Sequence, residues 1–261
     1  MFLSKINAQK VVNGHSINNM SQWAFITLLA IYNTNLDSVR LCGGSLIANQ
    51  WILTAAHCLK GQSKVAVYSN VLHFNENYWE DINLAICSPD KHCQWMDHIL
   101  IHPNYSSSDY DIALLTISTN VSYPYSNLSL LNHDHFTIQY NMPLYVTGYG
   151  RHSENQPSMS DTLQIGKVYL LDPNQYPEMK PYVMDYNFLA GNFRNGSDPT
   201  DNIDTCYGDS GSPILYQHSD VSFTIVGITS WGVGCALDRY PGVYTKISYF
   251  LSWIYETMQS T

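Results

Sequence analysis

Asp204-Thr-Cys-Tyr-Gly-Asp-Ser-Gly-Ser-Pro213 is the stretch on which the reading of this 261-residue chain turns. Ser210 stands between Asp209 and Gly211, with Gly208 two residues before it. A serine hydroxyl is a poor nucleophile until a base takes its proton. The carbonyl it attacks becomes an oxyanion, which needs hydrogen-bond donors already in place. A turn of this kind supplies them. Gly208 has no Cβ, so its N–H can face a substrate beside the N–H of Ser210. Taken alone, a Gly-x-Ser-Gly turn is also an ordinary loop. What decides is whether the rest of the chain supplies a base, an orienting acid and a substrate pocket.

Upstream, Leu41-Cys-Gly-Gly-Ser-Leu-Ile47 is followed by Trp51-Ile-Leu-Thr-Ala-Ala-His-Cys58, which sets His57 beside a cysteine at the end of an apolar run. Tyr110-Asp-Ile-Ala-Leu-Leu115 places Asp111 directly before an apolar strand. Separately, each has a plain structural reading: a core histidine and a solvated strand-end acid. Around them the chain reads as short strands between turns. Trp23–Leu29, Val65–Tyr68, Ile112–Ile117, Leu144–Thr147 and Phe223–Val226 are rich in β-branched and aromatic residues, as a sandwich or barrel requires. Only the C-terminus has clear helical periodicity. Ile247, Phe250, Leu251, Ile254 and Met258 fall on one face and predict a helix packed on the β core. Residues 119–135 are polar and turn-rich, as a link between two halves would be.

Composition narrows the function classes. Hydrophobic residues make up 45% of the chain and charged residues 13%, so it is globular rather than disordered. A net charge of −9 without a Lys/Arg cluster argues against nucleic acid, which needs concentrated positive charge. The longest apolar run, Trp23 to Tyr32, is too short to span a bilayer. Six cysteines, Cys42, Cys58, Cys87, Cys93, Cys206 and Cys235, with no Cys-x-x-Cys, favour disulfides and an oxidising compartment over a zinc site. Spacing alone leaves their pairing open. Asn-x-Ser tripeptides at Asn19, Asn104, Asn120, Asn127 and Asn195 are compatible with secretion, although residues 1–10 lack the apolar core of a secretory leader.

Thr-Ala-Ala-His-Cys, Asp-Ile-Ala-Leu-Leu and Gly-Asp-Ser-Gly-Ser-Pro occur in that order, and together they closely resemble the chymotrypsin-like (trypsin) family of serine proteases. Gly148-Tyr-Gly150, Ser230-Trp-Gly-Val-Gly-Cys-Ala236 and Pro241-Gly-Val-Tyr-Thr-Lys246 extend the resemblance from Val11 to the final helix. It implies an all-β fold of two antiparallel β-barrels with a C-terminal α-helix, and a site in the cleft between the barrels. Residues 1–10 would be an activation peptide and 11–261 the protease domain. The first barrel would cover about 11–125, the second about 126–246 and the helix about 247–259.

Carried over residue by residue, the resemblance makes Ser210 the nucleophile, His57 the general base and Asp111 its orienting acid. The N–H groups of Gly208 and Ser210 would form the oxyanion hole, and Ser230 would bond to Asp111. Asp204, six residues before Ser210, falls at the pocket floor, with Ser230, Trp231, Gly232 and Gly242 on the walls. A carboxylate in a narrow slot attracts a long cation, so the implied substrates are proteins or peptides cut after Arg or Lys. Lys10-Val11 resembles an activation site, where cleavage would free the Val11 ammonium to pair with Asp209. Cys42–Cys58 and Cys206–Cys235 match family disulfides. Cys87–Cys93 has no counterpart in the usual set and would staple a surface hairpin in an insertion from Asn77 to Met96.

The resemblance calls for no cofactor and no metal. It implies a monomer, secreted or in another oxidising compartment, open to protein inhibitors. Glu76, Glu80 and Asp81 lie near where some relatives bind calcium, but the insertion breaks that loop pattern, and they read as solvated acids. His133-Asp-His135 reads as solvated linker. Leu189 stands where the family usually has a cysteine, with Asn174-Gln175 near the other partner, so one disulfide is lost at both ends. Residues 192–201 are longer than typical, and Ser212 replaces a usual glycine, with little effect expected. Two other classes stay open: a non-catalytic binding module on the same fold, and a serine protease whose long loops alter its specificity.

Overall fold

The computed structural model describes residues 11–33, 35–36, 38–62, 64–117, 128–130, 137–151, 158–193 and 202–260, with main chain alone for 128–130 and no side chain for Glu76. The expectations for Lys10, for His133-Asp-His135, for the sequons at Asn120, Asn127 and Asn195 and for most of 192–201 fall outside these residues.

A two-residue strand, β1 (His15–Ser16), opens the described chain. The first barrel follows: β2 (Ile26–Tyr32), β3 (Val39–Ala48), β4 (Trp51–Thr54), a one-turn helix α1 (Ala56–Leu59), β5 (Lys64–Ser69), helix α2 (Glu76–Asn83), β6 (Cys93–Ile101) and β7 (Ala113–Ile117). Its strands pair in the order β2-β3-β4-β7-β6-β5, and β5 returns to β2, with Leu28 facing Gly43 on one side and Tyr68 on the other. Closure leaves no free edge. It also explains why β2 is a continuous apolar run, since every one of its residues is buried.

The second half contains β8 (Leu128–Leu130), β9 (Pro143–Gly148), β10 (Gln164–Leu171), β11 (Asn187–Gly191), β12 (Pro213–Gln217), β13 (Phe223–Trp231) and β14 (Gly242–Lys246), then helix α3 (Ile247–Ser260). Six of these strands run β10-β11-β14-β13-β12-β9, and β9 pairs back to β10 through Gly148 and Gln164, closing a second antiparallel barrel. β1 adds to β10, and β8 lies parallel to β13. The all-β expectation of two barrels and a terminal helix is therefore met. Ile247, Phe250 and Ile254 are the buried face of α3. That helix crosses back to the first half, where the Phe250 and Trp253 rings stand 5.2 and 5.0 Å from His102.

Three details differ from the sequence reading. Trp23–Phe25 lies in a turn before β2 rather than in the strand. The insertion is not a hairpin: it folds as α2 and then a 3-10 turn at Pro89–Lys91 within the Cys87–Cys93 loop, and the Asn75 side chain caps α2 by accepting from the Tyr78 N–H at 3.2 Å. Asp81 is not solvated; it is buried and bonded through both oxygens to the Lys91 ammonium at 2.8 and 2.7 Å. The disulfides Cys42–Cys58, Cys87–Cys93 and Cys206–Cys235 are all present. At Leu189, the lost family disulfide is replaced by apolar packing with Met179 and Val243.

Candidate active site

The barrels meet over a cleft of about 370 Å³ lined by His57, Asp111, Asp204, Ser210, Ser230, Trp231, Gly232 and Gly242, among others. Each side chain arrives at the end of a regular element, where the chain is rigid up to the point of use. β4 ends at Thr54, and the single turn of α1 then projects His57. Asp111 sits just before β7, and Ser210 three residues before β12.

Asp111 is nearly fully buried, and both carboxylate oxygens and its carbonyl are engaged. Its Oδ1 accepts the His57 backbone N–H at 2.8 Å, and its Oδ2 lies 2.7 Å from His57 Nδ1. The Ser230 hydroxyl donates to the same Oδ2 at 2.5 Å, and the Thr245 hydroxyl donates to the Asp111 carbonyl at 2.8 Å. A carboxylate held this way fixes the imidazole ring and selects the tautomer with a proton on Nδ1, leaving Nε2 as the basic nitrogen. Among the described residues no hydrogen bond joins the Ser210 hydroxyl to His57, and the contact made by His57 Nε2 is with Cys58 Sγ at 3.7 Å. Without substrate, hydrogen bonds of this kind are often long or poorly aligned.

The Ser210 turn is locked from behind. Its carbonyl accepts the Gly43 N–H at 2.7 Å, and Gly211 N–H donates to Thr229 O at 2.8 Å. Gly208 (φ +95°) and Gly211 (φ +82°) lie in the left-handed region that other residues avoid. Asp209 points inward, wholly buried, its two oxygens accepting Gly150 N–H at 2.8 Å and Cys206 N–H at 3.0 Å. Burial pushes its carboxyl up to about 7, against those two donors. Among the described residues no cation lies within ion-pair distance of it. Val11 is wholly buried in the core of the second barrel, and Val12 bridges to Asp204.

Asp204 is buried beneath the cleft. Its oxygens accept Thr205 N–H at 2.8 Å, Ala236 N–H at 3.3 Å and the Tyr244 hydroxyl at 3.5 Å. Desolvation raises its carboxyl to about 7, the hydrogen bonds oppose this, and Asp209 adds a smaller repulsion. A Cβ at Gly242 would stand 3.0 Å from Asp204 Oδ1 and 3.1 Å from the Tyr244 ring and hydroxyl, so a side chain there would crowd the acid. Tyr244 was not singled out from sequence, yet it sits two residues beyond Gly242 in a strand, on the same face. Gly43 and Met159 were missed too. Their contacts with Ser210 and Gly208 join distant segments, and no local pattern announces them.

Cys42, Cys58 and His57 present sulfur and nitrogen atoms within 4.8 Å of one another, but the two cysteines are joined in a disulfide and offer no thiolate to a metal. Residues 11–254 match the Trypsin family. The chain belongs to that family. It is also 31% identical over 264 residues to coagulation factor XI of Bos taurus, covering 98% of this chain and 39% of the relative. The chain thus spans well under half of that relative's length. No helix among the described residues is long and apolar enough to cross a membrane.

Proposed function

We propose that this trypsin-family chain is a serine endopeptidase that cleaves after Arg or Lys. The observation that carries the reading is the 2.7 Å approach of His57 Nδ1 to a buried Asp111, with Ser210 and a buried Asp204 on the same cleft. In this reading Ser210 Oγ attacks the substrate carbonyl while His57 Nε2 takes its proton. Asp111 stabilises the imidazolium without taking the proton itself. The oxyanion is held by the N–H groups of Gly208 and Ser210. His57 then protonates the leaving amine, the acyl-enzyme forms, and a water activated by the same imidazole hydrolyses it. A substrate Arg or Lys reaches down between Gly232 and Gly242 to Asp204, where the pair is shielded from water.

The proposal extends to activation. Residues 1–10 act as an activation peptide and 11–261 as the protease domain. Cleavage after Lys10 frees the Val11 ammonium, and a buried Asp209 with two backbone donors and no nearby cation among the described residues is a suitable acceptor. An ion pair formed there lowers the raised carboxyl pKa and can work as a switch, because a buried charge is costly until paired. Since Lys10 fits the predicted pocket, the enzyme activates itself. The three disulfides suit secretion or another oxidising compartment. The partners are protein or peptide substrates and protein inhibitors, met by a monomer.

The test is hydrolysis of matched Arg, Lys and Phe reporter peptides, before and after nicking at Lys10, with Ser210→Ala as control. The expected result is Ser210-dependent activity on Arg and Lys that rises sharply on nicking. No activity on any peptide, with Val11 confirmed as the new N-terminus, would point to a binding module instead. A Lys10→Gln variant that still acquires Val11 as its terminus would exclude self-activation.

A further inference from the structure

Ala236 is held in a backbone conformation that alanine rarely adopts. Its φ is +57°, in the left-handed region that strains any residue with a Cβ. Its N–H donates to Asp204 Oδ2 at 3.3 Å, and Cys235, directly before it, is bonded to Cys206. The residue is buried, so its carbonyl needs an internal partner as well. Asn202 supplies that partner. Its side chain is 1% exposed, and Nδ2 donates to Ala236 O at 3.0 Å and to Asp238 Oδ1 at 2.5 Å. Asn202 is itself fixed in place. Its carbonyl accepts Asn13 Nδ2 at 2.8 Å, Ile203 bridges to Asn192, and Asp204 bridges to Val12.

Both ends of this contact lead to the Asp204 carboxylate. Asn202 lies two residues before it in the chain, and Ala236, 34 residues beyond Asn202, donates to it. An amide suits the junction and a carboxylate does not. Nδ2 carries two protons, one for the Ala236 carbonyl and one for the Asp238 carboxylate. Aspartate at 202 would face both acceptors with oxygen alone. An apolar side chain would take this donor from a carbonyl inside the protein.

We propose that Asn202 is a positioning residue for the acid of the cleft: it clamps the Ala236–Asp238 segment so that the Ala236 N–H stays on Asp204 and the carboxylate stays aimed at a substrate Arg or Lys. The proposal rests on the reading of Asp204 as the pocket floor. Asn202 is not among the residues lining the cleft and acts through Ala236. The Ala236 N–H opposes the rise of the Asp204 carboxyl, together with Thr205 N–H and the Tyr244 hydroxyl, while desolvation and, to a smaller degree, Asp209 drive it up. Releasing that donor therefore raises the acid further.

The experiment uses the chain nicked at Lys10 and two readouts that a general loss of folding does not move. One is the Kd of benzamidine, an aromatic amidine that carries the planar cation of an Arg side chain. The other is the Arg-over-Phe ratio of kcat/KM, followed against pH. Asn202→Ala should weaken benzamidine about tenfold, lower the ratio by a similar factor and move its pH midpoint upward. Asn202→Asp should lose more. Adding Asp238→Asn to it should recover part of the loss, because a donor then faces the new carboxylate. Asp238→Ala, at an exposed position, keeps the fold and should weaken benzamidine about two- to threefold. Wild-type Kd, ratio and midpoint in Asp238→Ala and in the folded Asn202 variants overturn the proposal alone. A wild type whose benzamidine binding does not depend on Asp204 removes the pocket reading and the proposal with it.

Discussion

The Ser230 hydroxyl and His57 Nδ1 converge on one oxygen of Asp111, at 2.5 and 2.7 Å, while the second oxygen takes the His57 backbone N–H. The acid therefore fixes both the ring and the turn that carries it. Asp111→Asn should keep the fold but present an amide N–H or a weaker acceptor to Nδ1, favouring the wrong tautomer. The expected loss is about 10⁴ in kcat, with KM little changed. Ser230→Ala removes one charge-assisted bond and leaves the tautomer intact, so its loss should be roughly ten- to a hundredfold. Steady-state kinetics on an Arg reporter peptide decide it, and near-wild-type turnover in Asp111→Asn would undo the assignment.

With Asp204 at the floor of the proposed Arg/Lys pocket, its ionisation gives a pH signature that separates that pocket from the proposed catalytic residues. Its carboxyl is raised to about 7 in the folded protein, chiefly by desolvation. Below that pH the acid is held neutral, and on the proposed reading an Arg substrate would lose its ion pair; above it the carboxyl is anionic. The ratio of kcat/KM for matched Arg and Phe peptides removes any ionisation common to both. It should fall as pH drops through about 7 and level off above. Asp204→Ser should flatten the ratio and cut cleavage after Arg far more than after Phe. A ratio in the wild type that stays constant from mildly acidic to alkaline pH contradicts the pocket role.

Gly208 combines a backbone and a packing constraint. Its φ is +95°, and a Cβ would fall 1.9 Å from Met159 Cε. Gly208→Ala should rotate the N–H away from the developing oxyanion and lower kcat by about 10²–10³. Adding Met159→Ala relieves the overlap but not the dihedral strain, so recovery should be partial. Full recovery in the double variant would mean that packing alone, not the left-handed backbone, excludes a side chain there.

How much was legible in the sequence depended on range. The strands around Val65, Ile112 and Leu144 were visible because their β-branched runs are local. The His57, Asp111 and Ser210 segments were visible because each is a short ordered motif, and their order selects one fold. Helix α2 departs from the expected hairpin: the closely spaced Cys87 and Cys93 suit a staple, whereas Asn75 is a helix-start signal legible in the sequence. The Lys91–Asp81 pair was hidden, since the two ends of the insertion must fold together before the charges meet. The Arg151–Tyr207 contact joins the residue after Gly148-Tyr-Gly150 to the Ser210 segment, and it depends on the packing of two motifs far apart in the chain.

Ser212 is a test of how tightly the back of the catalytic turn is built. It is 1% exposed, and its hydroxyl is buried without a hydrogen-bond partner among the described residues. That hydroxyl stands 1.9 Å from where a Cβ on Gly43 would lie. Ser212→Ala keeps the methylene position and removes the unsatisfied oxygen, so it should stabilise the protein by about 1 kcal/mol. For a domain of this size that is a rise in Tm of about 2–4 °C. Gly43→Ala places a methyl into the same space and also meets Ser212 Cα at 3.0 Å. It should disturb the Gly43–Ser210 hydrogen bond and destabilise the fold by about 1–3 kcal/mol. Paired thermal melts of the two variants give the answer. A lower Tm for Ser212→Ala would mean that the hydroxyl has a polar partner and that the turn is not strained by it.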